Sequence, residues 1–197
     1  MRGTEALTLE VGASISSSFA RGLVPERFEV EPRASILLFK MSELAASFFP
    51  FAKFDYSEAL WRISIRHEGA PAWFAVKCDL DHPVIRALGA RLVRYPTRAA
   101  RIVGSEARWS VDAAGEKLEL RVSDQEAAEP PPLRRIFVPG GYEIPWNETP
   151  PTRARSARIT LGDDALLRAT LGDDAKLDAT GIVHRGRVHM CGFARRA

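Results

Sequence analysis

The clearest regularity along the chain is a two-residue alternation of apolar and polar positions. Over residues 55–66, Ala59, Trp61, Ile63 and Ile65 share one face, while Tyr56, Glu58, Leu60, Arg62 and Ser64 share the other. This predicts a strand whose apolar row packs in a core layer. The second row mixes polar groups with Leu60 and Tyr56, which suits solvent or the lumen of a small barrel that holds a ligand. Residues 6–11 repeat the pattern with Leu7, Leu9 and Val11 on one side. Residues 34–40 and 73–79 are rich in strand-forming side chains. In the second of these, simple alternation puts Lys77 with Trp73 and Ala75, opposite Phe74, Val76 and Cys78. Residues 108–112 and 117–122 read as the arms of a hairpin around Ala114-Gly115.

Helical signals are short. Ser14 and Ser16 to Ser18 open a turn that Gly22 closes. Residues 42–49 predict a short helix stopped by Pro50. Asp81-His82-Pro83 supplies a capping carboxylate and a first-turn proline, Ile85, Leu88 and Leu92 form a stripe, and Tyr95-Pro96 stops that helix. Residues 125–132 read as an exposed connector, and Pro139-Gly140-Gly141 as a second break. Thr160-Leu161-Gly162-Asp163-Asp164-Ala165 recurs ten residues later as Thr170-Leu171-Gly172-Asp173-Asp174-Ala175. That spacing fits successive strands joined by Gly-Asp turns, since the EF-hand spacing and its closing glutamate are missing. Residues 181–195 read as a closing strand pair or one bent strand. The sum is a single domain over residues 1–197 of α+β class, mostly antiparallel β, in which about ten short strands and two or three short helices form a barrel or sandwich.

Composition narrows the function. The longest mainly apolar stretch, residues 44–54, contains Pro50 and Lys53 and is too short to span a bilayer, and the first ten residues lack an apolar signal core. The expected location is the cytoplasm, with no membrane partner. Of 28 Lys and Arg residues only Lys40, Lys53, Lys77, Lys117 and Lys176 are lysines, so a lysine-dependent mechanism must draw on these five. Cys78 and Cys191 form no CxxC pair and read as buried thiols, with a disulfide between them left open. His184 and His189 face opposite sides of a regular strand, so a metal site there would need a bulge at Gly186; no metal is expected. Two arginine groups, one of Arg86, Arg91, Arg94, Arg98 and Arg101 and one of Arg153, Arg155 and Arg158, are solvated faces or holders of an acidic ligand. A net charge of only +3 and the lack of an aromatic stacking motif argue against nucleic acid. No GxSxG, P-loop, GxGxxG or HExxH motif occurs, and no cofactor is expected.

Three segments, in order, resemble the acetoacetate decarboxylase superfamily. Leu23-Val24-Pro25-Glu26-Arg27-Phe28-Glu29-Val30 resembles the VPE-x-L/F-E segment that follows the family's first helix. Asp55-Tyr56-Ser57-Glu58-Ala59 resembles the Y-x-E strand that bears its active-site glutamate. From residue 74 to 101, a strand ending in Asp79, then Pro83, Gly89-Ala90-Arg91 and Tyr95-Pro96, resembles its strand, GRE helix and YPKK segment. The resemblance runs from residue 22 to 102 and implies a β-barrel wrapped by further antiparallel sheet, with possible assembly into a homo-oligomer. In that family the two lysines after YP do the work, one as the Schiff base and its neighbour by lowering the pKa of the first. Here the positions hold Thr97 and Arg98, so no imine can form there: threonine has no amine and arginine stays protonated.

The resemblance makes Glu58 the family glutamate and Arg98 a surviving charge. They are expected to approach each other in a pocket lined by Tyr56, Leu60, Val76, Lys77 and Thr97, with Arg98 contacting a ligand carboxylate or carbonyl, or simply forming a structural ion pair. Lys77 is the one rescue for imine chemistry. Three functions follow as alternatives. One is a binding module for a small organic acid or carbonyl compound. Another is a lyase-like or hydratase-like enzyme with Glu58 as acid/base and Arg98 as electrophilic clamp. The third is a barrel filled by its own side chains.

Overall fold

The computed structural model describes residues 5–46, 49–132, 134–144, 146–148, 153–186, 188–190 and 194–196. In chain order these form β1 (Glu5–Ser14), α1 (Ser17–Leu23), β2 (Glu29–Ala46), β3 (Phe49–His67), β4 (Ala70–Leu80) and α2 (Pro83–Leu88). A π-helical turn (Gly89–Val93) leads to β5 (Thr97–Ala99), β6 (Arg101–Gly104), β7 (Arg108–Ala113), β8 (Glu116–Ala128), β9 (Arg135–Val138), β10 (Tyr142–Ile144) and β11 (Trp146–Glu148). The remainder is β12 (Arg153–Asp163), α3 (Ala165–Leu171), β13 (Lys176–Gly186), β14 (Val188–Met190) and β15 (Arg195–Arg196).

One large sheet runs in the order β15-β10-β9-β4-β3-β2-β1-β13-β12-β8-β7-β6, with β5 added beside β4. Its pairs are antiparallel except β4 with β5 and β4 with β9. The sheet curls until β6 lies against β2 and β3. Among the described residues no strand pairing closes it into a ring, so the expected barrel is here an open, strongly curled sheet. The β3 alternation has a physical consequence, because each face of the curl carries its own core. Ala59, Trp61, Ile63 and Ile65 face inward and pack with Leu9, Ile36, Leu38, Trp109, Leu118 and, from α3, Leu166. Tyr56 and Leu60 face outward, into a second core with Phe39, Met41, Cys78, Leu80, Tyr95 and Val138. The second row of β3 is therefore buried away from solvent and packs with residues of the α2 segment and β9, apolar contact whose burial stabilises the fold at about 25 cal/mol per Å².

Lateral pairing places residues of several strands in one row. Leu80 pairs with Glu58, Glu58 with Phe39, Phe39 with Thr8, Thr8 with His184 and His184 with Ala154. Cross-strand partners share a face, so this row lies on the outer side.

Four local expectations are corrected. Residues 42–46, read as the start of a helix, continue β2 and pair with β3 across two register shifts, because the pairing satisfies backbone groups. The α2 cap is the His82 ring, whose Nδ1 accepts from Ile85 N at 3.5 Å, while the expected cap Asp81 accepts from Ser57 N at 2.8 Å. Residues 125–128 extend β8 instead of opening a loop. The ten-residue repeat has two different structures. Its first copy ends β12, with Asp163 Oδ1 accepting from Ala165 N at the start of α3, and its second ends α3 and turns through Gly172 into β13.

Candidate functional site

The outer row of β3 gathers the chemistry. Tyr56, Glu58 and Leu60 sit at alternate positions, and register with β4 adds Cys78 beside Leu60 and Leu80 beside Glu58. The chain after α2 supplies the opposite wall. Its π-helical turn ends at Arg94, which takes a left-handed φ of 60° and returns Tyr95 N to Gly89 O at 3.2 Å. Cys78 N then donates to Pro96 O at 3.2 Å, which fixes β5 and sets Thr97 beside Cys78. Gly89 packs close to this strand: a Cβ there would come into van der Waals contact with Thr97 Cγ2, at 3.4 Å.

At the centre Glu58 is only 4% exposed, and burial pushes its carboxyl up to about 8, with the nearby charge of Asp79 adding to the rise and a bond from Cys78 opposing it. Glu58 is therefore a neutral acid at pH 7. Burial also raises the Tyr56 and Tyr95 phenols and the Cys78 thiol, with Glu58 the next cause in each case. Glu58 Oε1 and Tyr95 Oη are both buried and find no hydrogen-bond partner. Such orphan atoms are uncommon in folded proteins and each calls for an explanation.

The expected approach of Glu58 to Arg98 does not occur. Arg98 pairs across β5 with Asp79, and Asp79 pairs with Ala59, so both belong to the inner face. There Arg98 grips Asp79 with two bonds, Nε to Oδ1 at 2.6 Å and Nη2 to Oδ2 at 2.9 Å, and Trp61 Nε1 donates to the same Oδ2 at 2.8 Å. Asp79 is fully buried and carries three donors, which is what a carboxylate inside an apolar wall needs. Lys77 and Val76 also depart from the expected arrangement. A bulge falls between the Trp61–Lys77 and Arg62–Ala75 pairs, so the extra residue reverses the alternation. Lys77 shares the inner face with Trp61, and Val76 packs against the inner core. Of the seven residues singled out, Tyr56, Glu58, Leu60 and Thr97 come together on the outer face; Val76, Lys77 and Arg98 lie behind the sheet.

Three members were missed from sequence. Cys78 was read only as a small buried side chain and Tyr95 only as a helix stop. Asp79 carried a signal that went unused: a carboxylate at the end of an apolar strand must find donors. Further along the outer face, Arg62 Nη2 donates to Glu10 at 2.7 Å and to Ser35 at 2.9 Å, and its guanidinium lies 4.6 Å from the centre of the Trp73 ring. Among the arginine groups, Arg94 stacks on Tyr142 and Arg158 pairs with Asp124. The side chain of His189 and all of Cys191 lie outside the described residues. Cys78 is a free thiol. No group of metal-ligating side chains occurs among the described residues, and no helix is long and apolar enough to cross a membrane.

The backbone superposes over nearly its whole length on solved enzymes. With the enduracididine biosynthesis enzyme MppR complexed with pyruvate the TM-score is 0.74 at 14% identity, covering 96% of this chain and 88% of that one. With acetoacetate decarboxylase from Legionella pneumophila it is 0.73 at 14% identity, covering 98% and 86%. The fold is that of acetoacetate decarboxylase. An acetoacetate decarboxylase-like enzyme from Sphingomonas wittichii RW1 adds a TM-score of 0.64 at 16% identity, covering all of this chain and 92% of that one. No protein-family model matches the chain, and no curated protein matches it in sequence. The acetoacetate decarboxylase-like fold thus stands on structure, and the chemistry must be argued from the residues that this version of it carries.

Proposed function

We propose that the chain binds a small carbonyl compound beside Glu58 on an acetoacetate decarboxylase-like fold, without forming an imine. The observation that carries this reading is the pair of orphan atoms, Glu58 Oε1 and Tyr95 Oη, buried on the face that also holds Thr97. A protonated carboxyl and a phenol are donors suited to a ligand carbonyl or hydroxyl oxygen. Thr97 offers no amine, and Lys77 and Arg98 belong to the other side of the sheet. With Arg62 held by Glu10, the Glu58 surroundings favour an uncharged carbonyl group over a free carboxylate. MppR has been solved with pyruvate bound, and the ketone of that ligand, rather than its carboxylate, is the kind of group proposed to meet Glu58 here.

A titration with acetylacetone and with pyruvate, followed by amide NMR shifts, tests the proposal. Saturable shifts confined to the segments around Glu58, Cys78 and Tyr95 are expected, together with no mass adduct after borohydride. Shifts elsewhere only, or a trapped lysine, would overturn it.

One observation favours a second reading. A carboxyl poised at about 8 is well placed to give and take protons near neutral pH, as a lyase or hydratase acid would. Turnover of a keto acid lost in Glu58→Gln with binding retained would select that reading. Arg98 would act in it only as the partner of Asp79.

A further inference from the structure

Beyond the Glu58 region, a groove of about 750 Å³ opens along the ends of β8, β12 and β13. Its rim carries Arg153, Arg155 and Arg185 against a single acid, Glu106. Glu106 holds two of these guanidiniums in place: Oε2 accepts from Arg155 Nη2 at 2.9 Å, and Oε1 from Arg185 Nη2 at 2.9 Å. Arg153 is exposed and has no charged partner among the described residues. Three guanidiniums and one carboxylate line the groove. The rest of the lining is of another kind: Ala127, Ala128 and Pro130 form a small apolar floor that stays open to solvent. His184 borders it too, but pairs with Ala154 and Thr8 and so belongs to the outer face, while Arg155 pairs with Val183 of the inner core. The volume lies within the range of small-molecule sites, about 300–1,000 Å³, and far exceeds what a bare ion fills.

We propose that this groove binds a small organic dianion, a phosphate monoester or a dicarboxylate, with its charged head on Arg153, Arg155 and Arg185 and an apolar body on the alanine and proline floor. Guanidinium forks match the paired oxygens of phosphate and carboxylate, and Glu106 already orients two of them. The sequence placed Arg153 and Arg155 in one cluster, but gave no sign that Arg185 and Glu106 would join them. The groove is separate from Glu58. His184 and Glu58 share a lateral row, three strand spacings apart, which is about 14 Å.

The test uses the full chain and isothermal titration with four probes: phenyl phosphate, phthalate, benzoate and inorganic phosphate. Phenyl phosphate and phthalate are expected to bind more tightly than benzoate, whose single charge offers less to three guanidiniums, and phenyl phosphate more tightly than inorganic phosphate. A preference between phenyl phosphate and phthalate assigns the head group. Arg153→Gln should weaken both dianions about tenfold or more while leaving the thermal midpoint in place, since this side chain is exposed and unpaired. Absence of saturable binding by either dianion, equal binding of benzoate, or an unchanged affinity in Arg153→Gln would each overturn the proposal. Inorganic phosphate binding as well as phenyl phosphate would remove the apolar floor from it. Because acetylacetone is uncharged, its binding near Glu58 can fail or succeed independently.

Discussion

Glu58→Gln isolates the cost of burying a carboxyl in the outer core. The change keeps the side-chain shape and removes the titration. In the unfolded chain the group ionises near 4.5, while in the fold it holds its proton until about 8. Between these values the folded state binds one more proton than the unfolded state, so stability falls as pH rises. Across the whole interval the loss amounts to about 5 kcal/mol, at about 1.4 kcal/mol per pH unit. That is a large part of the about 5–15 kcal/mol that holds a typical domain together. Urea unfolding of both proteins at intervals from pH 4.5 to well above 8 measures the effect. The variant should gain on the parent steadily with rising pH, and the gap should level off above 8. His184 acts in the opposite direction: burial lowers its pKa, so the folded state resists protonation and loses stability as pH falls below 6.5. That contribution is common to both proteins and cancels in the difference. A gap that does not change with pH would falsify the neutral-acid assignment and the donor role proposed for Glu58.

Three other substitutions probe separate parts of the structure. Thr97→Lys puts an amine beside Cys78 and the protonated Glu58, where desolvation lowers its pKa, and borohydride with pyruvate should then yield a mass adduct absent from the parent chain; no adduct would place Thr97 out of ligand reach. Arg98→Gln strands the fully buried Asp79 and should cost about 3–5 kcal/mol in urea unfolding, a loss that Asp79→Asn in the same chain partly restores; additive losses would mean the pair is not coupled. Gly104→Ala drives a Cβ into the ring of Trp109 and should lower stability by about 1–3 kcal/mol in a thermal melt, whereas Gly22→Ala, which meets nothing, should not introduce that clash.

The sequence revealed most where one period ran unbroken. The β3 alternation correctly separated the Trp61 row from the Glu58 row, and three short motifs pointed to the fold later found by superposition. Reading failed where a single residue broke the period. The bulge beside Val76 carries no distinctive residue type, so Lys77 was assigned to the wrong side. Residues 42–46 were misjudged for a different reason: their local pattern permits helix, and only pairing with the strand that follows, β3, makes them strand. The expected Glu58–Arg98 pair failed because facing is decided by register, which a family motif does not encode. Thr97 and Arg98 are neighbours in sequence, and that alone sends them to opposite faces of the sheet.

The triad of Asp79, Arg98 and Trp61 works from behind a partition. Its carboxylate acts through the thickness of the strand pair on the proton affinity of Glu58. Burial supplies most of that affinity and the Asp79 charge a smaller part, so a substitution in the hidden triad would retune the acid in front from groups that a visiting molecule does not touch.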